Sequence, residues 1–85
     1  MEEAEIMPEL VKTIRFTFGT PPDLAVSRET TAYDIDGWDS LSHATLMIMV
    51  EKKFGVHISE AESNDMANVG DLHDAICAKI FRGPV

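Results

Sequence analysis

Residues 39–55 read DSLSHATLMIMVEKKFG, the chain's most apolar run, opened by two residues able to cap a helix and closed by a glycine. Asp39 or Ser40 can accept the backbone N–H groups left free in a first helical turn, and Gly55 is the natural stop. A helix advances about 100° per residue, so Leu46, Val50 and Phe54, with Met47 beside them, share one face. That face is predicted to meet the core. Leu41, Ala44, Thr45 and Ile48 fall on roughly the opposite side, a second apolar stripe that starts beside Ser40. A helix apolar on both sides is either buried all round or offers one side to a partner. Complete burial is hard in so short a chain. The expectation is therefore a docking helix with a hydroxyl at its N-terminal tip, against the alternative that the preceding loop folds over the second stripe.

Upstream, Ile6, Leu10, Val11, Ile14 and Phe18 recur at three- and four-residue steps, which predicts an amphipathic first helix ended by Gly19. Pro8 fits only a first turn, so its regular part is expected to begin between Ala4 and Met7. From Gly19 through Pro21 and Pro22 to Trp38 there is no helical period. In this long loop Leu24, Tyr33 and Ile35 are the residues expected to pin the chain to the core. Downstream, Val56 and Ile58 flank His57, Ser59 can cap a brief helical segment through EAESNDM (residues 60–66), and Asn68 can cap a last helix with Asp71 near its positive end. The last helix offers Val69, Leu72, Ile76 and Ile80 to the core. No run alternates as a strand does. The predicted fold is all-α, a four-helix bundle with three main helices, one short helix and a long loop between the first and second, forming a single domain over residues 1–85.

Of the 85 residues, 45% are apolar and only 7% aromatic, so the core is built largely from aliphatic and methionine side chains. Fifteen acids against seven bases leave a formal net charge of −8, which repels the phosphates of nucleic acid and anionic lipid alike. A basic protein surface is the more natural partner. No segment approaches the ~20 apolar residues of a membrane span, so membrane insertion is not expected. The opening MEEAEIMPEL lacks the basic start of a secretory signal, and the default compartment is the cytoplasm. The single Cys77 cannot form an internal disulfide or a zinc knuckle. Within LHDAICAKI it reads as a buried structural thiol, and with His73 it supplies only two candidate metal ligands, so no metal is expected.

The stretch DIDGWDSLSHA, residues 34–44, admits three uses. A calcium loop fails on register: with Asp34, Asp36 and Gly37 at the third, fifth and sixth loop positions, the first would be Ala32, the eighth Asp39 and the twelfth His43. A helix cap is sound but leaves the adjoining apolar stripe unexplained. An attachment site accounts for more. A serine in a first helical turn is exposed, and a phosphate esterified to it would sit where free N–H groups and the helix dipole favour negative charge. No spacing marks a catalytic serine, histidine and acid, and no glycine-rich phosphate loop is present.

These residues resemble the acyl carrier protein family. The likeness runs from Gly37 and Asp39-Ser40-Leu41 through Glu51-Lys52-Lys53-Phe54-Gly55-Val56 and Ile58-Ser59 to Asn68-Val69-Gly70-Asp71-Leu72, in order and at the right spacing. It implies that Ser40 receives 4′-phosphopantetheine from coenzyme A by the action of a phosphopantetheinyl transferase. Cargo would be held as a thioester on the arm's terminal thiol. It implies a monomeric carrier with no catalytic activity of its own, loaded by an acyl- or aminoacyl-loading ligase and served by acyltransferase or synthase enzymes. Asp39 and Leu41 flank the serine as in the family and would be read by the transferase and by partner enzymes, while Ala44 and Ile48 match its partner-contacting positions. Leu46, Val50, Phe54 and Ile76 match its interior.

One departure bears on pathway. Where the family's recognition helix is rich in acids, Ser42, His43, Thr45 and Met49 stand here and two lysines follow. Electrostatic steering is weaker along such a helix, and apolar contact counts for more. This favours a specialised biosynthetic or modifying pathway over housekeeping fatty acid synthesis. His43 falls near the inner side of the helix and reads as a packed or capping residue. The competing function is a non-covalent helical adaptor that docks a partner through the second helix.

Overall fold

The computed structural model describes residues 2–82, so Met1 and residues 83–85 of the expected domain lie outside the described residues. Its elements are α1 (Glu3–Phe18), a 3-10 turn (Ala32–Asp34), α2 (Ser40–Phe54), α3 (Glu60–Asn64) and α4 (Val69–Cys77), which widens into a π-helical turn at Ala78–Arg82. No strand occurs among the described residues, and the architecture is the all-α bundle read from the sequence.

One face of each long helix supplies the core. Ile6, Leu10 and Ile14 of α1 meet Leu46, Met47, Val50 and Phe54 of α2 and Val69, Leu72 and Ile76 of α4, all buried. α1 lies against both α2 and α4. Burial of these side chains is the main stabilising term, at about 1.5–3 kcal/mol for each large aliphatic residue. Ile80, expected to complete the α4 stripe, is half-buried because the backbone has already widened into the π turn.

The caps follow local chemistry. The carboxylate of Asp39 accepts from Ser42 N–H, Ser59 Oγ from Glu62 N–H, and Asn68 Oδ1 from Asp71 N–H. α2 ends at Gly55, whose φ of +66° is a left-handed conformation that only glycine adopts without strain. α3 stops at Asn64, two residues short of the expected reach to Met66.

α1 begins earlier than its proline suggested. The start was expected between Ala4 and Met7, yet the helix begins at Glu3 and Pro8 lies in its interior. Glu2 N–H donates to the Glu5 carboxylate at 3.0 Å, which secures the extra turn. Pro8 cannot donate back to the Ala4 carbonyl, but Ala4 is exposed and water can serve it.

The loop from Gly19 to Asp39 is tied down by polar and apolar contacts together. The Arg15 guanidinium donates to the carbonyls of Pro21 (3.0 Å) and Leu24 (2.7 Å). Val69 N–H and Gly70 N–H, in the first turn of α4, donate to the carbonyls of Thr30 (2.9 Å) and Arg28 (2.8 Å). Ile35 is buried and Leu24 half-buried, as expected of pinning residues. Tyr33 is not one of them: it is 99% exposed. It sits in the 3-10 turn, closed by the bonds of Thr31 N–H and Oγ1 to Asp34, and that turn gives the inward place to Ile35. Val26 and the buried Thr30, which the sequence reading passed over, complete the anchoring.

Candidate functional site

Ser40 is the first residue of α2 and is exposed. The turn that presents it is built from both sides. Upstream, Ile35 is held in the core, Gly37 adopts φ +87°, and Asp39 N–H donates to the Gly37 carbonyl at 3.1 Å. Downstream, the Asp39 carboxylate caps Ser42 N–H at 2.8 Å. That backbone bond holds the Asp39 carboxyl below the usual carboxylate range. At the start of α2 the backbone N–H groups have no partner within the helix, and the helix dipole is positive there.

Trp38 is half-buried and stacks on Phe18, with ring centroids 5.0 Å apart, and on His43, at 6.0 Å. Its indole N–H donates to His43 Nδ1 at 3.0 Å. The other ring nitrogen of His43 lies 2.8 Å from Ser63 Oγ and 3.2 Å from the Ser63 carbonyl, across on α3. The packed role expected for His43 is what the structure shows.

Between the start of α2 and α3 lies an open groove of about 400 Å³. Tyr33, Trp38, Ser40 and His43 line it, and Ser63 of α3 and Met66 just beyond are among the residues that complete the lining. An exposed hydroxyl at a helix start, on the rim of a groove with polar and apolar walls, fits a phosphate-linked arm: a phosphate there would meet free N–H groups, and an arm would have room beside it. Tyr33 belongs to this site rather than to the core. Ser63 and Met66 had no signal in the sequence, because their relation to Ser40 arises only when α3 folds back beside α2.

The partner-recognition candidates lie where the helical count placed them. Leu41 is 79% exposed and Ile48 52%, and Ala44 and Thr45 between them are exposed as well. The loop from Gly19 to Trp38 leaves this stripe open, so the alternative of a covered second face is excluded. Glu51, the one acid in α2, is turned away to serve Ile58 N–H (2.9 Å) and His57 (3.0 Å). Lys53 pairs with Glu9 at 3.1 Å, whereas Lys52 is exposed.

Cys77 is half-buried with its sulfur 3.5 Å from His73 Nε2, and burial pushes its thiol pKa up, away from the reactive thiolate. Among the described residues no group of three or more His, Cys, Asp or Glu side chains could hold a metal ion. None of their helices is long and apolar enough to cross a membrane.

No family model matches this sequence. Curated relatives do. It is 37% identical over 59 residues to acyl carrier protein MbtL of Mycobacterium sp. (strain MCS), a match covering 69% of this chain and 66%, just under two thirds, of that protein. It is 32% identical over 69 residues to an acyl carrier protein of Kineococcus radiotolerans, covering 81% of this chain and 84% of the relative. Among solved structures, the solution structure of a holo acyl carrier protein from Geobacter metallireducens superposes with a TM-score of 0.81 at 35% identity, over 91% of this chain and 87% of that one.

Proposed function

The chain belongs to the acyl carrier protein family, and on that premise we propose that Ser40 is its attachment residue and that it shuttles biosynthetic intermediates between enzymes. The family's prosthetic group is 4′-phosphopantetheine. When bound, it supplies a flexible arm ending in a thiol on which acyl cargo is held as a thioester. Everything else is work for this chain's own side chains.

The observation that carries the reading is the position of Ser40: exposed, first in α2, on the rim of a groove and beside an open apolar stripe. Its Oγ is the proposed ester oxygen. Asp39 holds the turn closed, so that Ser40 is presented to a transferase in one conformation. Leu41, Ala44 and Ile48 form the proposed docking stripe for the transferase, a loading ligase and acyltransferase or synthase enzymes. The chain carries cargo and leaves its conversion to those partners.

A specialised pathway is the preferred setting. Support comes from α2 itself, whose first turn holds no acid and whose last turn holds Lys52 and Lys53. Partners therefore meet an apolar face with little negative charge along it. The proposed compartment is the cytoplasm, where a lone reduced thiol such as Cys77 is ordinary, and the chain over residues 1–85 is proposed as one carrier domain.

Incubation of the full chain with coenzyme A and a broad-specificity phosphopantetheinyl transferase tests the reading. The intact mass is expected to rise by about 340 Da, the covalent formula of the arm, and Ser40→Ala is expected to abolish the gain. An unmodified wild type would refute it. Equal modification of Ser40→Ala would move the site elsewhere.

A further inference from the structure

We infer that His43 is a positioning residue: set in one tautomer by Trp38, it ties α3 to the first turns of α2 and so shapes the groove beside Ser40. The significance of that groove rests on the carrier reading; the tie itself does not.

The direction of the hydrogen bonds follows from the chemistry of the donors. An indole nitrogen can only donate, so at 3.0 Å from Trp38 Nε1 the Nδ1 of His43 must be the acceptor. A neutral imidazole that accepts at Nδ1 carries its proton on Nε2. Nε2–H therefore donates to α3, at Ser63 Oγ (2.8 Å) and the Ser63 carbonyl (3.2 Å). Trp38, itself wedged between Phe18 and His43, thus orients a donor that reaches a residue 20 positions away.

α3 needs such a tie. It has five residues and buries none of them, so its own helicity is weak and its apolar anchors lie outside it, at Ile58 before and Met66 after. Its cap is local: Ser59 and Glu62 bond each other's backbone N–H groups. Among the described residues, two polar side-chain contacts connect the helix itself to the rest of the bundle. Glu62 pairs with Lys79 of the π turn at 2.8 Å, and Ser63 is held by His43. Of the two, only the His43 contact reaches the helix that bears Ser40. Since Ser63 and Asn64 of α3 line the groove beside Ser40, the position of α3 shapes it.

The test is NMR spectroscopy on the full chain. Long-range nitrogen–proton correlations should show His43 in the Nε2–H tautomer. Amide exchange at Ser63 and Asp65, whose N–H groups bond within α3, should accelerate roughly tenfold in His43→Phe, while core amides of α1 and α4 hold their rates. His43→Gln, which keeps a donor and an acceptor, should restore slow exchange. Should His43→Phe fail to fold, Trp38→Phe gives the second reading: removing the indole donor should let His43 populate both tautomers. An Nδ1–H tautomer in the wild type, unchanged α3 exchange in a folded His43→Phe, or an unaltered tautomer in Trp38→Phe would overturn the inference. Loading from coenzyme A is scored separately, so a wild type that takes no arm defeats the carrier reading while these signals still decide the tie.

Discussion

The carboxylate of Asp39 accepts the backbone N–H of Ser42 at 2.8 Å, so the residue before Ser40 and the residue two beyond it close the turn on which Ser40 stands. The cap depends on an acceptor oxygen more than on charge. Asp39→Asn should therefore keep most of the thermal midpoint seen by circular dichroism, and Asp39→Ala should lower it. Loading at Ser40 should slow in the same order, since a frayed first turn presents the hydroxyl in many conformations. Equal losses in both variants would assign the effect to charge.

Leu46 and Ile48 are two residues apart on α2 and face opposite ways, one with 0% exposure and the other with 52%. In urea unfolding, Leu46→Ala should cost about 2–5 kcal/mol through lost burial and the cavity left behind. Ile48→Ala should stay within about 0.5 kcal/mol of the wild type. Ile48→Glu should fold and still lose productive encounter with partner enzymes, because it sets a charge in the middle of the open stripe. Both a non-covalent adaptor and a carrier lose function in Ile48→Glu; the adaptor tolerates Ser40→Ala, whereas the carrier is disabled by it although the fold survives.

Gly55 ends α2 at φ +66° with its N–H bonded to the Glu51 carbonyl at 2.9 Å. A side chain in that left-handed conformation costs roughly 1–2 kcal/mol. Gly55→Ala should reduce stability by about that amount, and no change would mean that the chain leaves α2 by another path.

Acid should weaken the fold through two ion pairs. Lys79 beside Glu62 lowers that carboxyl from 4.5 to about 2, and the Arg28 guanidinium on Asp74 lowers the second from 3.8 to about 2. Folded values below the unfolded ones mean that the stabilisation is fully present above the ordinary carboxylate range and is lost as pH falls toward 2. The melting temperature should be level above roughly pH 5 and decline below it. The two carboxylate side chains are 41% and 60% exposed, so the effect is modest and salt should reduce it. A Glu62→Gln, Asp74→Asn double variant should show a shallower decline.

The helices were legible because their signals are local. The spacing of Leu46, Val50 and Phe54, the capping chemistry of Asp39, Ser59 and Asn68, and the stop at Gly55 all lie within a few residues of their effects. The two faces of α2 followed from the same arithmetic, which is why Leu41, Ala44 and Ile48 were found open to solvent. Contacts made at a distance had no such signal. Tyr33 looked like an anchor for the loop, but a 3-10 turn faces it outward and gives the inward place to Ile35. The burial of Thr30 depends on backbone bonds to α4, and the groove wall at Ser63 depends on α3 returning to a histidine 20 residues earlier. Pro8 misled in a different way. Its lost hydrogen bond falls on an exposed carbonyl, so the helix runs through it.

The most direct test of the account is to locate the arm on the chain. After loading from coenzyme A, trypsin should release residues 29–52 as one peptide that holds both Ser40 and Ser42. Fragment ions should put the added phosphodiester on Ser40, the exposed hydroxyl at the head of α2. A peptide modified at Ser42 or at one of its threonines, or a loaded protein in which this peptide is unmodified, would contradict the assignment.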